Sequence, residues 1–224
     1  MIYTDYVLLI LNCKAYKFKA ELQKELWLNK LPKSIQYFHI VGDKEQCDGD
    51  EYYFDFDNHV LYVATDDDYI SLPHKMITAL KAVNETFEYR YIFKTDDDQM
   101  LLQPNFFSRI SGQLIDKPNC HYGGFSIEMK TQICDYNKFH SSLPDNLILR
   151  GTIYCNGRFY LLSKEGVEDL LKKKDKIKKL YIEDHGIGLH LNEDLKQEIL
   201  HFDSKTVFKD MIEERQNIWI KLVF

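Results

Sequence analysis

Apolar residues in the first hundred positions come in two rhythms, short unbroken runs and longer stretches at helical spacing. The run Tyr6-Val7-Leu8-Leu9-Ile10-Leu11 has no polar interruption, as expected of a strand buried on both faces, with Val7 to Leu11 as its core. From Tyr16 to Leu28, the residues Tyr16, Ala20, Leu22, Leu26 and Trp27 fall near helical spacing with Lys and Glu between them, which predicts a helix. A second strand is predicted over residues 35–41, closed by Gly42-Asp43. A third is predicted over residues 60–63, after an acidic loop around Asp48 to Asp57. Residues 71–85 place Leu72, Met76, Ile77, Leu80 and Val83 on one stripe, an amphipathic helix that leads into a strand from Tyr89 to Phe93. Such alternation predicts an α/β fold with a mostly parallel central sheet flanked by helices, whose ligands sit at the carboxyl ends of strands.

Beyond residue 100 the pattern turns strand-rich. A short helix is predicted from Pro104 to Leu114, then strand character at Tyr122 to Ile127, at Tyr154 and at Phe159 to Leu162, and a helical pattern from Val167 to Leu171. No internal repeat or low-complexity segment occurs, and no Pro/Gly/Ser-rich linker divides the 224 residues. A single domain over 1–224 is therefore expected, with halves at about 1–100 and 101–205 and a C-terminal tail at 206–224.

Composition narrows the function classes. Hydrophobic residues at 45%, with fifteen Tyr and fourteen Phe, supply a core and argue against disorder. A formal net charge of -6 argues against nucleic acid as a partner, since phosphate-backbone binding needs a basic surface. The exception is the run Lys172-Lys173-Lys174-Asp175-Lys176-Ile177-Lys178-Lys179, readable either as a solvated helix end or as a patch for an anionic membrane or acidic partner. The five cysteines, at 13, 47, 120, 134 and 155, form no C-x-x-C pair and no zinc spacing, which suits a reducing compartment. The longest early apolar run falls far short of the roughly 20 residues of a membrane span, and no basic n-region precedes it. The expectation is a cytoplasmic or otherwise soluble protein without a transmembrane segment or signal peptide.

The densest chemistry lies in Lys94-Thr95-Asp96-Asp97-Asp98, three consecutive carboxylates where an apolar strand should end. Adjacent Asp side chains repel one another and disfavour a strand, so either the segment is a solvated acidic turn or a cation offsets the charge. Asp-x-Asp supplies two oxygen ligands of the kind that suit Mn²⁺ or Mg²⁺, with Asp96 and Asp98 on one side of a turn and Asp97 on the other. Glu183-Asp184, before Gly186-Ile187-Gly188, reads as a helix start, where carboxylates gain from the dipole; a capping pair and a rigidly held general base are both compatible with it. Asn156-Gly157 ahead of the apolar run Phe159 to Leu162, and Gly123-Gly124, are either ordinary turns and bulges or places where backbone approaches a ligand. His201, in a short β-like run, is either a satisfied surface or core group or a further metal ligand.

The order of these blocks carries a resemblance. Asp68-Tyr69-x-Ser71-Leu72-x-x-Lys75, Lys94-Thr95-Asp96-Asp97-Asp98, Tyr154-Cys155-Asn156-Gly157 with Leu162-Ser163, and Glu183-Asp184-x-Gly186-Ile187-Gly188 together resemble the β-1,3-galactosyltransferase and Fringe group of inverting glycosyltransferases, over roughly residues 6–202. The resemblance implies a GT-A, Rossmann-like fold, a nucleotide-sugar donor, by default a UDP-sugar, a glycan or other hydroxyl acceptor, and Mn²⁺ or Mg²⁺ as cofactor. It assigns the nucleotide-sugar half to about 1–100 and the acceptor and catalytic half to about 101–205. By the same resemblance Asp184 is the catalytic base, Asp96, Asp98 and His201 are metal ligands, and Lys75, Asp96, Asp97, Gly123, Gly124, Asn156, Gly157 and Glu183 face donor or substrate. Asn156 stands where the group commonly has Ser or another small residue, and His185 replaces a hydrophobic residue after Glu-Asp. A non-catalytic nucleotide-sugar or carbohydrate-binding protein on the same fold is the alternative. A phosphoryl-transfer enzyme or nuclease has no P-loop pattern to support it.

Overall fold

The uninterrupted apolar run near the start becomes the middle of the sheet. In the computed structural model, which describes residues 1–211, the first half of the chain forms β1 (Ile2–Tyr3), β2 (Tyr6–Leu11), α1 (Lys17–Leu26), β3 (Ile35–Gly42), β4 (Tyr52–Asp55), β5 (Val60–Val63), α2 (Leu72–Thr86), β6 (Phe87–Glu88), β7 (Tyr91–Asp96), β8 (Gln99–Leu101) and α3 (Phe106–Ile115). The second half adds β9 (Tyr122–Met129), β10 (Gln132–Ile133), β11 (Ile148–Leu149), β12 (Thr152–Ser163), α4 (Lys164–Leu171), α5 (Lys174–Ile177), α6 (Glu183–His190), β13 (Leu200–His201), α7 (Ser204–Val207) and β14 (Phe208–Asp210). An eight-stranded sheet runs β13-β9-β12-β7-β2-β3-β5-β4. Its centre, β7-β2-β3-β5, is parallel, whereas β12 runs antiparallel to both β7 and β9, and β4 antiparallel to β5. The expected α/β architecture is present, with a parallel centre and antiparallel pairings at β12 and β4.

Every residue of β2 is buried, and successive side chains serve opposite faces. Val7, Leu9 and Leu11 join one core with α2, α4 and α6, while Tyr6, Leu8 and Ile10 join a second with α3 and with Trp27 just after α1. Burying one such aliphatic side chain contributes about 1.5–3 kcal/mol, so these two layers hold the strand in register. Pro73 lies in the first turn of α2, where its fixed φ and missing N–H suit a helix start.

Three differences from the sequence pattern have local causes. The acidic loop expected around 48–57 contains β4, whose Tyr52-Tyr53-Phe54 is a β-forming triplet among acids, turned back on β5 after His59 adopts φ 55°. The strand read as Tyr89 to Phe93 runs instead from Tyr91 to Asp96, because Leu11 of β2 pairs with Asp96 and carries the ladder into the acidic triplet. Of the tail at 206–224, residues 206 to 211 include the end of α7 and β14, which pairs with β8; the remainder lies outside the described residues.

Chain order places the site. After β5 the chain crosses through α2 to β7 on the other side of β2, so the strand order reverses between β2 and β7. Crevices at the carboxyl ends of strands flanking such a reversal are where open α/β sheets bind ligands.

Candidate active site

A cavity of about 780 Å³ opens at that reversal, within the range typical of small-molecule sites. Leu11, Asn12 and Cys13 at the end of β2 and Asp96, Asp97, Asp98 at the end of β7 form its floor, and the β12 turn with the start of α6 forms the opposite wall. The antiparallel pairing that sets Phe159 opposite Thr95 delivers Asn156, Gly157 and Arg158 to the end of β7.

Lys94 joins the two walls. Its side chain is 2% exposed, and Nζ donates to Asp96 Oδ1 at 2.7 Å and to the Gly157 carbonyl at 2.6 Å, with Glu183 Oε2 at 3.4 Å. Burial works against its charge, yet Asp96 and Glu183 together hold its pKa above the ordinary lysine value. In the sequence Lys94 stands only as the first residue of a motif block; the signal for its role is a lone cation inside an apolar strand, which must find acidic partners when buried.

The triplet divides in three. Burial pushes the Asp96 carboxyl up to about 6, with Lys94 opposing and Asp98 reinforcing, and its side chain keeps 35% of its surface open to the cavity. Burial likewise pushes Asp97 up to about 6 against an ion pair with Lys19 at 3.0 Å, and Lys19 itself lies over the Tyr16 ring. Asp98 accepts from Gln99 Nε2 at 2.7 Å. Gln99 also donates to Asp210 Oδ1 at 2.8 Å and accepts from Arg158 Nη1 at 3.0 Å, so the long-range antiparallel β8–β14 pair braces the turn from behind.

Glu183 and Asp184 open α6, whose N-cap Ile182 makes no side-chain cap. Glu183 faces inward, accepting from the Tyr160 hydroxyl at 2.5 Å, and burial raises its pKa. Asp184 lines the cavity; Oδ1 accepts from the His185 N–H and Oδ2 from the Gly157 N–H, both at 2.7 Å. Burial raises its pKa, opposed by Lys94 and by those two N–H groups. A Cβ at position 157 would lie 3.2 Å from Asp184 Oδ2 and 3.3 Å from Lys94 Nζ, so the close approach of backbone to both charges suits a glycine.

Other predicted residues fall in and out of this group. Lys75 lines the cavity, but its side chain is 1% exposed and Nζ is held by the Asn12 carbonyl at 2.8 Å and by Asp67 Oδ1 at 2.5 Å. Asp67 also accepts from the Gly42 and Lys14 N–H groups, so Lys75 ties the loop before α2 to the ends of β2 and β3. Asn156 lines the cavity, and its Oδ1 accepts from Arg158 N at 3.1 Å, an Asx-type turn. Tyr69, which belongs to the motif block from Asp68 to Lys75, stacks on His140 at 3.7 Å between ring centroids and, with Tyr136 and Phe139, adds an aromatic wall whose other members lie in no motif.

The structure does not bring Gly123, Gly124 or His201 to the cavity lining. Gly123 and Gly124 sit within β9, where a Cβ would press on Leu200 at one and on the Phe159 carbonyl and Cys155 at the other; Gly124 has φ +152°. Sheet packing alone accounts for both. His201 pairs with Gly124 at the sheet edge and shares a 2.8 Å hydrogen bond between Nδ1 and Ser126 Oγ.

Among the described residues, no group of three or more His, Cys, Asp and Glu is arranged to hold a metal ion. Mg²⁺-type sites at phosphates use one or two carboxylates, with water and ligand oxygens completing the shell. Asp96 and Asp98 fit that smaller set, being mutually repelling carboxylates that both reach the cavity.

The family model described as Galactosyltransferase matches residues 22–201. No curated protein matches this chain in sequence. Among solved structures, the chain is similar to a glycosyltransferase involved in the glycosylation of the major capsid of PBCV-1, at 12% identity and TM-score 0.49, covering 89% of this chain and 82% of that one. It is also similar to a CMP:2-keto-3-deoxy-manno-octonic acid synthetase complexed with CTP, at 8% identity and TM-score 0.45, over 89% of this chain and 90% of that one. A third likeness is to a glycosyltransferase of Streptococcus pneumoniae TIGR4, at 9% identity and TM-score 0.45, over 91% of this chain and 46% of that one.

Proposed function

Because the chain belongs to the galactosyltransferase family and is a glycosyltransferase, we propose that it moves a sugar from a nucleotide-sugar donor, by default a UDP-sugar, to a hydroxyl acceptor with inversion, with Asp184 as general base. The observation that carries this reading is the single cavity in which Asp96 and Asp184 stand on opposite walls joined through Lys94. A base needs a fixed direction and a raised pKa. Asp184 has both, from two backbone donors and from burial.

In this reading the donor diphosphate lies toward Asp96 and Asp98, and the sugar between the walls. Asp184 accepts the acceptor hydroxyl proton as that oxygen attacks the anomeric carbon. The bond from the anomeric carbon to the diphosphate oxygen breaks on the opposite face, and its electron pair leaves with the nucleotide. Asp96 and Asp98 would hold a Mn²⁺ or Mg²⁺ ion, which supplies Lewis-acid stabilisation of negative charge on the departing diphosphate when bound. Lys94 favours the ionised forms of Asp96 and Glu183 against the effect of burial, and Glu183 anchors the start of α6 through Tyr160. A positioned base of this kind is worth about 10²–10⁴-fold in rate.

Thermal-shift screening of nucleotide sugars, with and without Mn²⁺, tests the donor side; nuclear magnetic resonance of the first product formed tests the stereochemistry. Selective, Mn²⁺-dependent stabilisation by one nucleotide sugar and a product of opposite anomeric configuration are expected. A product that retains the donor configuration would refute Asp184 as base.

A further inference from the structure

A second cavity, of about 560 Å³, lies beside the first and shares Ile182 with it. Its walls are mostly apolar, from β11 and its flanks and from the Leu180-Tyr181-Ile182 segment before α6. Two lining residues are large hydrophobics left in the open, Ile148 at 64% exposed and Tyr181 at 36%; Ile133, paired with Ile148 across the β10–β11 ladder, is 63% exposed. Core packing does not explain three such side chains in one strip.

The polar side chains around it are all basic. Arg150, Lys176, His185 and His190 line the cavity, and no carboxylate does among the described residues. Arg150 and Lys176 are exposed, and neither side chain has an acidic partner among the described residues. His185 Nε2 donates to the Arg150 carbonyl at 2.8 Å, and burial lowers the pKa of the ring. Burial also lowers that of His190, and Lys173, Lys176 and Arg150 depress it further. Lys176 belongs to the run of lysines on and around α5, whose neighbours Lys173 and Lys178 are paired with Asp169 and Glu51 while Lys176 faces the cavity.

An apolar enclosure edged by two cations that have no acidic partner among the described residues complements one kind of ligand. We propose that this cavity is a binding site for an amphiphilic anion, an apolar chain seated against Ile148, Leu180, Tyr181 and Leu189 with a phosphate monoester headgroup between Arg150 and Lys176. The site is separate from the nucleotide-sugar cavity and does not rest on the proposed reaction.

Calorimetric titration of the full chain with octyl phosphate, kept below its critical micelle concentration, tests it, beside inorganic phosphate and neutral octyl glucoside. Saturable 1:1 binding of octyl phosphate is expected, with both controls at least tenfold weaker. In Arg150→Gln/Lys176→Gln, two exposed positions, the octyl phosphate affinity should fall at least tenfold with the melting temperature of the unliganded protein held, and Ile148→Ser should weaken it as well. Equal affinity in wild type and the double variant overturns the headgroup assignment. Inorganic phosphate binding as tightly as octyl phosphate, octyl glucoside doing so, or no octyl phosphate binding at all overturns the site.

Discussion

The two carboxylate groups that face each other across the main cavity are held in opposite ways. Asp184 is fixed by two backbone N–H groups at 2.7 Å each, from elements that are themselves locked, the β12 turn and the first turn of α6. Asp98 rests on one side-chain amide, Gln99 Nε2, and Asp96 on the side-chain ammonium of Lys94. Backbone donors cannot swing away, whereas side-chain donors yield to a new ligand. The first arrangement suits a group that must point in one direction, and the second suits groups that exchange partners when an ion and a diphosphate arrive.

The largest expected effect is at the rigid wall. Asp184→Asn keeps the shape and the acceptor oxygen for at least one N–H but cannot take a proton, so the transfer rate should fall by about 10²–10⁴-fold, measured by release of nucleotide in the presence of acceptor. Its pH dependence follows in sign: Asp184 must be ionised, burial raises its pKa, and wild-type activity should therefore decline as pH falls toward that raised value. Activity that rises on acidification would make another group the base.

Next is the link between the walls. Lys94→Met leaves Asp96 and Glu183 without their shared cation, and removing one partner of a buried charge cluster costs about 3–5 kcal/mol. Chemical denaturation checks this; a loss under about 1 kcal/mol would mean the two walls are braced independently of Lys94.

The smallest effect is on the yielding side. In the metal-free protein, kept in chelator, Asp97 has a folded-state pKa near 6, above the ordinary carboxyl value. Its ionised form is thus disfavoured by folding, and wild-type stability gains from its protonation as pH falls from 7 toward 5. Asp97→Asn removes this dependence, so any melting-temperature advantage of the variant at pH 7.5 should shrink at pH 5; an advantage that grows on acidification contradicts the shift.

Much of this arrangement was legible in the chain. The unbroken run at β2, the helical stripe of α2 and the acidic triplet mark the reversal point, and the triplet and Glu183-Asp184 do converge on one cavity. What periodicity could not show is convergence through long-range pairing. Lys94 reaches Gly157 across 63 positions only because β7 and β12 are antiparallel neighbours, and Arg158 meets Asp210 only through the pairing of β14 with the distant β8. His201 shows the same limit from the other side: a histidine in the expected order along the chain lies at the sheet edge on Ser126, outside the cavity lining, since order in sequence does not fix which edge a short strand joins. The aromatic wall of Tyr69 and His140 is a tertiary contact with no local signature.

The division of labour between the two walls is the central claim, and one titration tests it directly. UDP is titrated calorimetrically into wild type, Asp98→Asn and Asp184→Asn, each with and without Mn²⁺. The account predicts that Mn²⁺ strengthens UDP binding in wild type and Asp184→Asn to the same extent and ceases to do so in Asp98→Asn. An equal Mn²⁺ effect in all three proteins, or its loss in Asp184→Asn alone, would contradict the account.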